Sequence, residues 1–203
     1  MPTTVELDTD RVSLAELTEV GLGARQADIA ICIANRPMID HYPEIDHLQL
    51  LAAGELQHIV ANTSNHWRKV FNVFSKFLYQ LADSRVGQFP DWQSYRDQQL
   101  LQSGSRESLL FSPPSVSFDR NAADSGHPSG SLGSRVYIIA GKTYAAQLQI
   151  RGLVWLDAFF AIHPVAPIVV SPYLDYRQLS NARIEQLVEL VKDVRARHQY
   201  KAL

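Results

Sequence analysis

Residues 28–35, Asp28-Ile-Ala-Ile-Cys-Ile-Ala-Asn35, form an almost unbroken apolar and β-branched run that ends at Arg36-Pro37. A strand covered on one face alternates apolar with polar residues, whereas an unbroken run needs cover on both faces. Proline closes it because it cannot donate to the ladder. That run alone calls for a sheet enclosed between helical layers. Three shorter runs repeat the pattern: 109–111 before Pro113-Pro114, 136–140 before Gly141, and 167–170 before Ser171-Pro172-Tyr173.

Helical segments separate these runs. Trp67, Val70, Phe71, Phe74, Phe77, Leu78 and Leu81 recur at helical spacing, with Ser64 or Asn65 placed to cap the first turn. Ile184, Leu187, Val188, Val191 and Val194 make a second stripe in a helix expected from about Ser180 to His198. Further helices are expected over Leu14–Gly23, Leu48–Val60 and Thr143–Phe160, and a short one lies within Asp83–Arg106. Strands alternating with helices predict a three-layer α/β/α domain around a four-stranded, mainly parallel sheet. In such a sheet, ligands bind outside the carboxyl ends of the strands.

The chain has 203 residues, which fits one domain over 1–203 with its core at about 28–198. Residues 115–134 are rich in Ser, Gly, Asp and Asn and read as a long irregular loop of functional or disordered type. The net charge of −2 argues against attachment to nucleic acid by bulk charge. One cysteine, Cys32, excludes an internal disulfide framework and a cysteine-rich zinc site. No secretory signal or membrane-length apolar run is visible, so the expected location is cytoplasmic and no membrane partner is expected.

Local motifs narrow the chemistry. Gly141-Lys142-Thr143 has the ending of a phosphate loop, but Val136 stands where the first glycine belongs, so a strand-to-helix turn is the better reading. Asp40 to His47 concentrates acids and histidines, with Pro43 preventing a regular helix from aligning His41, Asp46 and His47 on one face. It reads as a charged surface loop, and no metal or other cofactor is assigned. Gly126-His127-Pro128-Ser129-Gly130 displaces the serine of a nucleophile elbow and lacks the preceding strand. Cys32 sits mid-strand and reads as a small core residue.

Taken in order, the strand ends resemble those of the uracil-DNA glycosylase superfamily. Ile29 to Asn35 with Arg36-Pro37 is similar to its first motif, where an Asn or Asp near a proline handles the attacking water. Leu109 to Phe111 and the loop from Ser115 to His127 resemble the second motif. Val136 to Lys142 looks like the third strand and its glycine turn. Val170 to Arg177 resembles the segment after the fourth strand that enters DNA and polarises the base. The resemblance spans residues 28–190 as order and pattern. It departs at Arg36, which stands at the acid position, and at Val169 and Val170, one of which replaces the family's histidine.

The resemblance implies a nucleobase, nucleotide or nucleic-acid end bound at the strand ends, with DNA or a nucleotide as partner. Asn35 would orient water and Asp40 or Asp119 would supply a carboxylate. Arg36, Ser112, Asn121, His127, Lys142, Ser171, Tyr173, Asp175 and Arg177 would line the site, with Arg68, Lys142 and Arg177 placed for phosphates. The two departures keep open a second reading, a non-catalytic module on the same fold with a protein partner.

Overall fold

A computed structural model describes residues 19–81, 86–115 and 135–199. The α/β class is as expected, but the sheet differs from the expectation. It has eight strands of mixed direction rather than four mainly parallel ones. In chain order the strands are β1 (Gly21–Gly23), β2 (Ile29–Cys32), β3 (Leu48–Gln49), β4 (Glu107–Leu110), β5 (Val136–Ala140), β6 (Val154–Trp155), β7 (Ala161–Ile162) and β8 (Ile168–Ser171). Their order across the sheet is β3-β1-β4-β2-β5-β8-β7-β6. The four runs legible in the sequence form the middle, β4-β2-β5-β8, and pair in parallel. Antiparallel pairs join β1 to β4, β7 to β8 and β6 to β7, while β3 runs parallel to β1.

The helices are α1 (Glu55–Asn62), α2 (Asn65–Leu81), α3 (Trp92–Gln98), α4 (Lys142–Gln147) and α5 (Asn181–Gln199). The two sheet faces are unequally covered. Ile29 and Ile31 of β2, and Ile33 just past it, point into a large core shared with Phe71, Phe74 and Phe77 of α2 and the α5 stripe. Ala30 and Cys32 point to the other face, where Ala145 of α4, Ala161 and Ala166 pack closely. Every predicted apolar position of α2 is buried. At about 1.5–3 kcal/mol per large side chain, that stripe is a principal source of stability.

Three expected helices are revised. Of the helix expected over Leu14–Gly23, residues 14–18 lie outside the described residues, and Gly21–Gly23 is a strand, because the glycines let β1 lie against β4: a Cβ at Gly23 would fall 2.4 Å from Glu107 O. The helix expected over Leu48–Val60 starts only at Glu55, after Gly54 at φ 84°, and Leu48–Gln49 pairs with β1 instead. The helix expected over Thr143–Phe160 stops at Gln147. Gln149 at φ 51° and Gly152 at φ 80° turn the chain into the β6–β7 hairpin. No helix among the described residues is long and apolar enough to cross a membrane.

Candidate functional site

The parallel strands bring their carboxyl ends to one edge of the sheet. β2 continues through Ile33-Ala34 to Asn35, and β8 ends in Ser171-Pro172-Tyr173. The first turn of α2 reaches the same place through His66. Asn35 Nδ2 donates to Tyr173 Oη at 3.2 Å, and Tyr173 Oη lies 2.8 Å from His66 Nε2. The phenol oxygen receives the amide proton, so its own proton is free to go to Nε2. That order requires a neutral imidazole with its proton on Nδ1. The two rings are 5.4 Å apart.

Electrostatics support the neutral chain. Burial pulls His66 below its ordinary value, against the Asp175 carboxylate and with Lys69. Burial also pushes the Tyr173 phenol up to about 12, with the Asn35 bond opposing and Asp175 reinforcing. Asp175 is itself paired with Lys69 at 2.8 Å. Burial works against its carboxylate, but the Lys69 bond and the Arg177 N–H hold it below the usual carboxylate range.

Beside this chain opens a shallow cavity of about 540 Å³, lined in part by Asn35, Arg36, Met38, Ser64, His66 and Trp67. Arg36 is one of its lining residues. The guanidinium donates to Pro43 O at 3.0 Å and Ile45 O at 2.9 Å and lies over the Phe111 ring at 5.7 Å. Trp67 packs edge-on against the same ring. No Asp or Glu is among the described lining residues.

Of the residues singled out in the sequence, Asn35, Arg36 and Tyr173 meet here. Asp175 and Arg177 lie just behind, with Arg177 over Tyr176 at 5.9 Å. Ser112 is occupied, its Oγ accepting the Val20 N–H, and the buried Ser171 hydroxyl donates to Pro172 O. Lys142 lies over Trp155 at 4.6 Å. Asp40 is paired with His58 at 2.8 Å rather than with Asn35. Asp119, Asn121 and His127 fall outside the described residues, as does all of the expected loop except Ser115. His47 bonds Asp46 and His41 bonds Gln49. Among the described residues no three His, Cys, Asp or Glu side chains converge as a metal site. Burial pushes the Cys32 thiol far up, so it is no nucleophile.

A family model matches residues 20–192, which include every residue of this chain of hydrogen bonds. The chain belongs to DUF6942, a family of unknown function. No curated protein and no solved structure matches it. For this DUF6942 member the site therefore rests on its own geometry. His66 is the component that sequence reasoning missed. It stands 107 positions from Tyr173, and no spacing links the two. The one local signal is a polar ring in the first turn of an otherwise core-facing helix.

Proposed function

We propose that this site binds a nucleobase, presented by a nucleotide or a nucleic-acid end, and that the protein is a divergent relative of the uracil-DNA glycosylases. The observation that carries the reading is the Asn35–Tyr173–His66 chain, built from three separate elements beside an open cavity. Reading a base edge needs donors and acceptors held in a fixed array. A side-chain amide can present both at once. Tyr173 fixes the amide of Asn35, and neutral His66 fixes Tyr173. His66 also brings an imidazole to a site whose fourth-strand segment has valines where the superfamily has its histidine.

Base excision needs more than recognition. In this reading Asn35 would orient the attacking water, but the described cavity lining offers no carboxylate to activate it. Arg36, at the acid position, is committed to two carbonyl oxygens. Those two observations favour binding without excision. They also sustain the second reading, a non-catalytic module with a protein partner.

One assay separates the outcomes. Uracil-containing single- and double-stranded oligonucleotides are incubated with the protein at low salt, because a chain of net charge −2 gains little from phosphate neutralisation. Binding and abasic-site formation are both read. The expected result is binding without product, weakened about tenfold by Asn35→Ala, the scale of one lost polar contact. Product that disappears in Asn35→Ala would make this a glycosylase with a rebuilt site. Neither binding nor product, with folded protein in excess, would reject the nucleobase reading in favour of the module.

A further inference from the structure

A second cavity, of about 360 Å³, lies at the opposite edge of the sheet, by the amino ends of β2 and β4. Its volume is in the range of small-molecule sites, roughly 300–1,000 Å³. Apolar side chains make much of the wall, among them Ile29, Leu78, Leu81 and Phe89. Its charged groups are unequal. Arg106 is engaged by both carboxylate oxygens of Asp28. Glu107 is buried and accepts the N–H groups of Leu101 at 2.9 Å and Arg106 at 3.0 Å. Both acids are thus committed within the fold. Arg195, reaching in from α5, takes part in none of the ion pairs among the described residues.

We propose that this cavity binds a small organic carboxylate with an apolar body, its carboxylate held by Arg195. A guanidinium is the side chain best shaped for a carboxylate, since it offers parallel N–H donors. A cationic ligand would find Asp28 and Glu107 already paired. Ser105 adds a second polar group to the wall. Its hydroxyl is buried without a hydrogen-bond partner among the described residues, and a serine re-aims by one staggered step of χ1. An unsatisfied buried hydroxyl is disfavoured in a folded chain, so a ligand able to accept its proton gains twice. The site is separate from the strand-end cavity and shares no lining residue with it.

The test is calorimetric titration of the full chain with phenylacetate and with phenylacetamide, an uncharged isostere. Phenylacetate is expected to bind, and the amide to bind at least about tenfold more weakly, the scale of one charge-assisted contact. Arg195→Gln should weaken phenylacetate by about the same factor and leave the amide unchanged. Arg195→Lys should recover part of the loss. Thermal melting of both variants checks the fold, and Arg195 is only partly buried on a helix surface. Equal binding of acid and amide, binding indifferent to Arg195→Gln, or no heat with either probe at millimolar concentration would overturn the proposal.

Discussion

Arg135 immediately precedes β5 and is the most heavily committed cation among the described residues. Its Nε donates to Ala27 O at 2.9 Å, one terminal nitrogen to Glu19 at 2.6 Å and to Tyr137 Oη at 3.3 Å, and the other to Arg25 O. Ser115 and Tyr137 also donate to Glu19, at 2.6 and 3.1 Å. The side chains of Arg135 and Glu19 are only 9% and 15% exposed. The network therefore ties residues 19–27 and the exit of β4 to the start of β5. Arg135→Met keeps most of the volume and removes the charge. What remains is a buried carboxylate facing two hydroxyls and two freed carbonyls, a situation that costs about 3–5 kcal/mol. With a urea slope of about 2 kcal/mol per molar, the unfolding midpoint should fall by roughly 1.5–2.5 M. Replacing both charges, Glu19→Leu with Arg135→Met, removes the stranded carboxylate. The double variant should be more stable than Arg135→Met alone by at least about 1 kcal/mol, because an apolar pair of similar volume often matches a buried ion pair. A loss below about 1 kcal/mol for the single variant, or a double variant no better than the single, would refute this account.

His66 is held below its ordinary value in the folded chain, chiefly by burial. The unfolded chain then binds the proton more readily, so the His66 contribution is full above about pH 6.5 and is lost as the pH falls toward the depressed folded value. His66→Gln should flatten that acid limb of a stability–pH curve below about pH 6.5, and an unchanged limb would count against the neutral imidazole. Gly23, like Gly21, lies too close to β4 to carry a Cβ, and it also has φ 107°. Gly23→Ala would press a methyl group onto Glu107 O and Ser108 Cα and is expected to cost about 1–3 kcal/mol in a thermal or urea melt. A neutral result there would mean that β1 can move off β4 without cost.

The middle of the fold was legible because burial on both faces leaves a mark in sequence. β2, β4, β5 and β8 are runs that only a covered sheet can accept, and each ends at proline, glycine or serine-proline. The outer strands leave no such mark. β3, β6 and β7 have two residues each, and β1 is Gly-Leu-Gly. What holds them is pairing to a neighbour already in place, which is tertiary information. The β6–β7 hairpin misled for the opposite reason. Val154, Trp155, Leu156 and Phe159 are apolar residues inside the expected helix, yet they stand 40–50% exposed. Arg183 over Phe159 at 3.6 Å and Lys142 over Trp155 are what the sequence could not supply in advance.

The site divides along the same line. Asn35 and Tyr173 stood out as candidates because topology places them: a residue just past a buried parallel strand must lie at the carboxyl edge. Ser112 and Ser171 occupy equivalent positions, but their hydroxyls bond the backbone. Position alone therefore selects candidates and cannot rank them. Ranking needs the partner that commits or frees each group, and that partner usually sits on another element. His66 is the case in point. It is placed by the packing of α2 under the strand ends, where Trp67 meets Phe111 and Arg36 lies over the same ring. Because Trp67 is anchored in the core, the adjacent residue is held at the rim. Phe71, Phe74 and Phe77 of that aromatic stripe are core, as their helical spacing implies. That packing is also what makes the site, since a rigid core-facing helix positions the imidazole more firmly than a loop could.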